Sequence, residues 1–374
     1  MLRSLIIIVL VGVLPSCYNP SARHSTETVL PTPYDAEHEK ESIQIDSQEI
    51  ITIVLTGDVM IGINYPDTLM PVDSGRHLFS EVADWLQYAD VTVGNLEGVI
   101  SNLGQPKKEC FDTAHCYYFR MPEELTPRLA EAGYDALSIA NNHSRDFGDS
   151  AIVQTLAVLE QNNIACAGQR YHCKEAIFER NGHTYGFMAF SPHGGSMSML
   201  NIPAAQESIR DLKSRCEIVI VSMHGGAEGV ASLHTPDTVE FYFDESRGCV
   251  KEFAHAAIDA GADIVYGHGP HVPRAVEIYN KRFIAYSLGN FCTPFKVSTQ
   301  GYCGYAPVIR LSINTNGEVI KAEVLSAIQH PQSGPHIDYQ NRAARLIGQL
   351  TEEDFPQHDM VVDSTDVLTY RIKK

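Results

Sequence analysis

The chain has 374 residues, and 44% of them are hydrophobic, so it can bury a large core and is not globally disordered. Its 46 acidic residues outnumber its 28 basic residues, which gives a formal net charge of −18. A surface of this charge repels nucleic-acid phosphates and argues against a nucleic-acid partner. It does not exclude an anionic substrate, because a bound cation can reverse the local field.

The N-terminus predicts an export signal that ends at a lipidation site. Arg3 precedes an apolar run at 5–14, which is too short for a relaxed membrane span of about twenty residues. Leu14-Pro15-Ser16-Cys17 follows and resembles a bacterial lipobox, so residues 1–17 form a predicted lipoprotein signal peptide with lipidation at Cys17. Ordinary cleavage near Cys17 is the alternative. The polar, proline-containing residues 18–48 predict a flexible linker, and the protein is expected in the cell envelope, lipid-anchored to a membrane on the periplasmic side or the cell surface.

Cysteine spacing predicts two disulfides. The chain has nine cysteines, and an even number remains once Cys17 is set aside. Exported chains keep disulfides, so the short spacings predict that Cys110 pairs with Cys116 and Cys166 with Cys173. A zinc cluster is the competing interpretation, but no CxxC spacing supports it.

Short apolar runs alternate with helical patterns from residue 50 onward. The predicted strands are 51–56, 91–94, 136–140, 185–190, 217–222, 263–267 and 283–287. The predicted helices lie near 78–88, 122–132, 149–161, 203–214 and 247–260, with Asp149 as the N-cap of the third. This alternation predicts a layered α/β fold with a largely parallel sheet.

The segments 307–313 and 318–326 flank Asn316-Gly317, which predicts a hairpin that closes a second sheet. We expect one domain over 49–330. Residues 331–374 are expected to form a C-terminal extension that packs on or near it.

Five polar clusters directly follow predicted strands. Ligands of open α/β sheets gather at the carboxyl ends of strands. Each polar residue taken alone is more simply a turn or surface residue, but together they predict a metal site, because carboxylate, amide and imidazole groups all ligate divalent cations. The clusters contain Asp58, Asn95 with Glu97, Asn142 with His143, His224 with Glu228, and His268 with His271.

Six motifs in order, GDVMIG, GNLEG, NNHSRDFG, HGGAE, IDAGADIVYGHGPH and YSLGNF, resemble the CapA-like family of poly-γ-glutamate capsule synthesis. The resemblance covers roughly 52–295, and that family is related to calcineurin-like metallophosphoesterases. It implies an α/β fold, a metallophosphoesterase-like two-sheet β-sandwich flanked by helices. It also implies one or two divalent ions, Zn or Mn, with His143 as the catalytic acid. The implied metal ligands are Asp58, Asn95, Glu97, Asn142, His224, His268 and His271, and Arg145, Glu228 and Asn290 are the candidates for binding substrate.

The sequence departs from the phosphoesterase pattern at three points. Met60 stands where those enzymes have a histidine, Asn95 stands where they have a bridging aspartate, and His268 and His271 are spaced HxxH rather than HxH. These changes remove one ligand and one negative charge, unless Glu97 compensates. One tightly held metal and two metals therefore stay as alternatives.

Three functions are compatible with these motifs. The first is an exported, lipid-anchored protein of capsule or poly-γ-glutamate synthesis or processing, with a metal-dependent hydrolase-like site that acts on a phosphoester or a γ-glutamyl amide. The second is an exported metallophosphatase for nucleotides or sugar phosphates. The third is a non-catalytic polymer-binding scaffold. The expected partners are an anionic polymer or peptide, a membrane synthase complex and the membrane itself.

Overall fold

The structure is a computed structural model that describes residues 49–107 and 117–357, together with the backbone of two strands at 360–363 and 368–372. The described residues belong to one compact unit, Ser47–Lys374. The predicted signal peptide with Cys17, the predicted linker and the predicted Cys110–Cys116 bridge lie outside the described residues. No helix in the described ranges has both the length and the apolar character needed to cross a bilayer.

The described chain alternates strands with six α-helices. The strands are β1 Ile50–Val59, β2 Val91–Leu96, β3 Val99–Ile100, β4 Arg120–Met121, β5 Ala136–Ser138, β6 Ala165–Ala167, β7 Glu175–Arg180, β8 His183–Phe190, β9 Ile218–His224, β10 Glu240–Tyr242, β11 Glu245–Gly248, β12 Ile264–His268, β13 Val276–Tyr279, β14 Arg282–Ala285, β15 Asn290–Cys292, β16 Val308–Asn314, β17 Val319–Leu325, β18 Ala327–Gln329, β19 Pro335–Ile337, β20 Met360–Asp363 and β21 Leu368–Ile372. The helices are α1 Ala83–Gln87, α2 Thr126–Ala132, α3 Gly148–Gln161, α4 Ile202–Lys213, α5 Val250–Asp259 and α6 Arg342–Asp354.

Two mixed sheets form the centre of the fold. The first has the order β20-β21-β17-β16-β1-β2-β5-β6, and β15 pairs in parallel with the end of β1. The second has the order β13-β14-β12-β9-β8-β7. In both sheets the central strands that precede helices run parallel, while antiparallel strands complete the edges. The sequence predicted one largely parallel sheet, whereas the structure has two sheets whose central strands are parallel.

Alternating side chains divide the core into three layers. Ile51 and Ile53 of β1 meet Ile218 and Ile220 of β9 in a cluster that lies between the two sheets. Successive strand residues point to opposite faces, so the intervening positions pack outward against helices. A second cluster lies under α1, α2 and α3, and a third lies under α4, α5 and α6. The two-sheet sandwich flanked by helices is confirmed.

Two local predictions are wrong. The β16–β17 hairpin does not close a second sheet but extends the first, because β16 pairs with β1 from Ile50 to Thr56. Asp149 is not the N-cap of α3, since the helix already begins at Gly148 and Phe147 occupies the cap position. Asp149 instead lies in the first turn, where a carboxylate interacts favourably with the helix dipole.

The predicted Cys166–Cys173 disulfide is also wrong, because both residues are free thiols. The two thiols share a hydrogen bond, which together with burial raises the pKa of Cys166 well above its ordinary value. An even cysteine count and a short spacing bring two sulfur atoms close together, but they do not impose the dihedral geometry that a disulfide requires.

Candidate metal centre and active site

The carboxyl ends of four central strands bring polar side chains together. In the first sheet, the register places Asp58 of β1 beside Asn95 of β2 on one side and Asn290 of β15 on the other. In the second sheet, His268 of β12 stands opposite His224 of β9. Strand alternation puts His224 on the same face as Ile218 and Ile220, so its imidazole faces the space between the sheets.

Asp58 is fully buried and contacts three polar side chains. Its Oδ1 accepts a hydrogen bond from Asn95 Nδ2 at 2.9 Å and lies 3.1 Å from His268 Nδ1. Its Oδ2 lies 2.9 Å from His271 Nδ1, which is also 3.1 Å from Asn290 Oδ1. Burial opposes ionisation of Asp58, but the two histidines outweigh burial and hold its pKa well below the usual range. Burial alone would lower the pKa of His271, but the contact with Asp58 outweighs this effect and raises the pKa to about 10.

Glu97 is a second buried carboxylate near Asp58. Asn95 Nδ2 bridges the two, since it also donates to Glu97 Oε2 at 2.6 Å. Burial and the negative charge of Asp58 raise the pKa of Glu97 to about 8. Glu97 Oε2 lies 3.8 Å from Nδ1 of His224, whose pKa is lowered well below its ordinary value by burial and by neighbouring His193.

Several buried polar atoms of this cluster have no hydrogen-bond partner within the protein. They are Glu97 Oε1, Asn142 Oδ1, both ring nitrogens of His224, and Nε2 of His268, whose Nδ1 faces Asp58. A buried polar atom without a partner typically costs about 1–3 kcal/mol, and such groups in native proteins call for an ion, a water molecule or a functional reason. Imidazole, carboxylate and amide donors together suit a divalent ion such as Zn²⁺ or Mn²⁺. The donor set therefore fits the implied metal.

The same side chains do not form a closed coordination shell as they stand. Within the described ranges, no three His, Cys, Asp or Glu side chains surround a common point in a way that could hold a metal ion. The oxygens of Asp58 contact histidine and asparagine instead, and Asn95 turns its amide nitrogen to both carboxylates and its oxygen to Asn141 at 3.2 Å. Metal binding would have to replace some of these contacts.

His143 lies in the loop between β5 and α3, beside this cluster. Its Nδ1 lies 2.8 Å from Asp146 Oδ2, which also accepts the backbone N–H of Phe119 at 2.9 Å. The His143 ring packs on the Phe119 ring with centroids 4.1 Å apart. Asn141 holds the loop to β2, because its Nδ2 donates to Leu96 O at 2.7 Å and its Oδ1 accepts from His143 N at 3.1 Å. These contacts fix the orientation of the imidazole.

The three candidates for binding substrate lie in different surroundings. Arg145 is partly exposed and pairs with Asp149 at 2.8 Å, just beyond the His143 loop. Glu228 pairs with Arg247 at 3.2 Å. Asn290 belongs to the Asp58 network, where its Nδ2 donates to the backbone oxygens of His271 and Cys303.

Sequence reasoning gave no role to Asp146, Asn141 or His193. Asp146 is the aspartate three residues after His143 in the sequence. This spacing lets its carboxylate form a hydrogen bond with the imidazole within one turn of the chain. Nothing in the sequence pointed to His193, whose ring centroid lies 5.8 Å from that of His224. It comes from the loop after β8, and only the packing of β8 beside β9 brings the two together.

Comparisons with known proteins agree with the motifs. The chain is 26% identical over 271 residues to the "PGA biosynthesis protein CapA" of Bacillus subtilis (strain 168), and the match covers 68% of this chain and 66% of that protein. It is 26% identical over 325 residues to the "Capsule biosynthesis protein CapA" of Bacillus anthracis, covering 82% of this chain and 74% of that one.

Among solved structures, a putative 5'-nucleotidase from Staphylococcus aureus in complex with alpha-ketoglutarate is similar, with a TM-score of 0.44 and 15% sequence identity. That match covers 81% of this chain and 58% of the nucleotidase. The profile described as "Bacterial capsule synthesis protein PGA_cap" matches residues 52–294, which contain every strand-end cluster of the site. Since this match spans more than half of the sequence, the chain belongs to the PGA_cap family of bacterial capsule synthesis proteins.

Proposed function

We propose that this chain is a metal-dependent hydrolase of the cell envelope that acts on an anionic polymer during capsule or poly-γ-glutamate synthesis or processing. One observation carries the proposal: the buried, unpartnered ring nitrogens of His224 and Nε2 of His268 lie with Asp58 and Glu97 beside the His143–Asp146 pair. The names of the two Bacillus relatives support the polymer as the substrate class.

The proposed ligands divide between the two sheets. Asp58 and Glu97 supply oxygen atoms from the first sheet, and His224 and His268 supply nitrogen atoms from the second. Asn142 adds an amide oxygen from the loop that carries His143, and His271 and Asn95 stay close to Asp58 as further candidates. A bound Zn²⁺ or Mn²⁺ would supply an activated water and polarise the attacked carbonyl or phosphoryl oxygen.

His143 is proposed to donate the proton that the leaving group needs. Its Nδ1 faces Asp146, so the N–H at that atom orients the ring and the tautomer stays fixed. Nε2 is then the ring atom from which the protonated imidazole passes a proton to a departing amine or alkoxide. When a γ-glutamyl amide is cleaved, the oxygen of water bonds to the carbonyl carbon and the C–N bond breaks. The departing nitrogen takes the proton from His143, and the proton that the water releases restores the imidazolium, so the products are a carboxyl group and an amine.

A second candidate function is a polymer-binding scaffold that serves a membrane synthase. One observation favours it: the side chains of the site contact one another rather than leaving a closed metal shell. A scaffold needs neither a metal nor the His143–Asp146 pair. The two candidates therefore differ in whether the purified protein binds metal and turns over any substrate.

One experiment separates them. The purified protein would be loaded with Zn²⁺ or Mn²⁺, its bound metal measured, and its turnover assayed on γ-glutamyl oligomers and on phosphodiesters. We expect about one or two bound ions per chain and metal-dependent cleavage of the γ-glutamyl oligomers. Cleavage of phosphodiesters alone would favour the metallophosphatase alternative. Metal binding without turnover of either substrate, or no metal binding, would favour the scaffold.

The proposed location is the outer face of a membrane, with a lipid on Cys17. The apolar run at 5–14 and the Leu14-Pro15-Ser16-Cys17 sequence support this proposal. An anchor of this kind would hold the site beside a membrane synthase that extrudes the polymer.

A further inference from the structure

Basic side chains surround the His143 loop on its outer side. Lys107, Arg170 and Lys174 are exposed, and none of them forms an ion pair with a described carboxylate. Most other exposed Lys and Arg side chains of the described chain do have such a partner, for example Arg215 with Asp211 and Lys281 with Glu318. In a protein with a net charge of −18, a group of unpaired cations is a local exception.

Backbone contacts tie these cations to the loop. The Lys107 N–H donates to Asp146 O at 2.7 Å, and the Lys107 side chain covers Gly148, where an added Cβ would lie 3.0 Å from its Cγ. On the other side, the Arg170 N–H donates to Gly195 O at 2.9 Å. The basic residues therefore flank the segment that carries His143.

Arg145 connects the two flanks. Its side chain lies over Gly195, and its Nη2 is 2.8 Å from Asp149 Oδ1. His172 Nε2 lies 3.5 Å from the same oxygen of Asp149. A continuous basic edge thus runs from Lys107 past Arg145 to the turn that carries Arg170.

A surface groove of about 680 Å³ continues this edge. Arg170, His172, Lys174 and Glu175 line one wall, and Glu207 and Asp211 of α4 line the other. Glu175 and Asp211 are both paired with Arg215, at 2.6 Å and 2.7 Å, so Glu207 is the remaining unpaired acid among these wall residues. An extended polyanion would consequently follow the Arg170–Lys174 wall and avoid the helix.

We propose that Lys107, Arg145, Arg170 and Lys174 form a binding track for the carboxylates of an extended polyanionic chain on one side of the scissile bond. The track rests on the proposed function, because it supplies the polymer to that site. A lysine ammonium attracts a carboxylate as a point charge, whereas a planar arginine guanidinium can donate two parallel N–H hydrogen bonds to it. Elsewhere the acidic surface repels the polymer, so this group of cations, three of them without an ion pair, selects where it lies.

The test is a charge reversal that stays away from the proposed catalytic groups. Binding of fluorescently labelled poly-γ-glutamate would be measured by anisotropy on the metal-loaded protein and on R170E/K174E. The matched control is K281E/R345E, which makes the same charge change at exposed positions far along the chain, on the β13–β14 turn and on α6. Anisotropy needs no turnover, so the track is tested separately from catalysis.

We expect R170E/K174E to bind poly-γ-glutamate about tenfold more weakly, the scale of two exposed attractions replaced by repulsion. K281E/R345E should bind within about twofold of the wild type, and the difference between the variants should disappear near 1 M salt, where the Debye length is about 3 Å. Equal binding by R170E/K174E and the control would overturn the track while leaving the proposed function in place. Loss of affinity for polyphosphate but not for poly-γ-glutamate would assign the cations to a phosphate-rich polymer and overturn the carboxylate proposal.

Discussion

Asp58 controls the charge balance of the site because it is buried yet ionised. A carboxylate at this depth favours its neutral form unless other groups stabilise the charge. His268 and His271 provide that stabilisation, and burial together with the retained charge of Asp58 then raises the pKa of Glu97 to about 8. Two buried carboxylates repel each other, and a divalent cation bound between them would remove this repulsion. This is the electrostatic reason to expect a bound cation here.

Replacing Asp58 with alanine should abolish metal binding, since it removes a charged ligand from the first sheet. The change also breaks the contact with His271, so the metal-free variant is expected to lose stability as well. The informative quantity is therefore the rise in Tm on adding Zn²⁺ or Mn²⁺. Saturating metal at a hundredfold excess over Kd stabilises a native protein by about 2.7 kcal/mol. D58A should show no such rise.

The control for this variant is Asp237→Ala, which removes an exposed aspartate that pairs with Lys251. D237A should bind metal and gain Tm as the wild type does. A metal-dependent Tm rise in D58A equal to that of D237A would show that Asp58 is not a ligand.

Replacing His143 with alanine should separate chemistry from metal binding. The ring contacts Asp146 and Phe119 and is proposed to donate a proton, so H143A should keep the metal but lower turnover by about 10²–10⁴-fold. Metal content and turnover would be measured on the same samples. His234→Ala, at an exposed position, is the matched control and should leave both unchanged. Full turnover in H143A would rule out the proton-donor role.

At the scale of elements, the site depends on how closely β15 approaches the end of β1. The Asp58 N–H donates to Gly289 O at 2.9 Å, and the register sets Asp58 beside Asn290. Gly57 permits this approach, because a Cβ at Gly57 would lie 2.1 Å from Gly289 O. That backbone oxygen cannot move away without losing its hydrogen bond to Asp58.

Gly57→Ala should consequently destabilise the protein and displace Asp58. Overpacking of a buried site typically costs about 1–3 kcal/mol, and here the clash is with backbone rather than with a flexible side chain. Gly194→Ala is the control, since no atom lies within 4 Å of a Cβ built there. Urea unfolding of the two variants measures the difference, and equal free energies of unfolding would contradict the argument.

The strand ends of the site were predictable from sequence, and its outer contacts were not. Short apolar runs predict strands, and polar residues directly after neighbouring parallel strands meet at one edge, which is how Asp58 and Asn95 come together. His268 follows the same rule in the second sheet and contacts Asp58 from there. The pairing of β15 with β1 joins residues more than 200 positions apart. No local pattern encodes such a pairing, so the position of Asn290 beside Asp58 depended on the fold itself.

At the scale of the whole molecule, the order of the strands in the two sheets could not be predicted from the periodic spacing of apolar residues. The Asn316-Gly317 turn correctly indicated that β16 and β17 pair. Which sheet the hairpin joins depends on the free edge of β1, and a hairpin sequence carries no information about its other neighbour. The second sheet similarly needed β7 and β13, two edge strands in which nearly every side chain is partly buried or exposed and whose apolar signal is correspondingly weak.

The N-terminal sequence determines where the whole molecule is expected to reside. The apolar run at 5–14 is followed by the lipobox-like sequence that ends at Cys17, so the proposed anchor is a lipid on that cysteine. Stable anchoring by lipid requires about two acyl chains, and loss of the modified residue removes them together. Cys17→Ala should therefore shift the protein from the membrane fraction to the soluble fraction after cell disruption. Cys216→Ala, which removes a free thiol of the folded unit, should stay with the membrane. Equal membrane association of C17A and C216A would show that the lipid at Cys17 is not what holds the protein there.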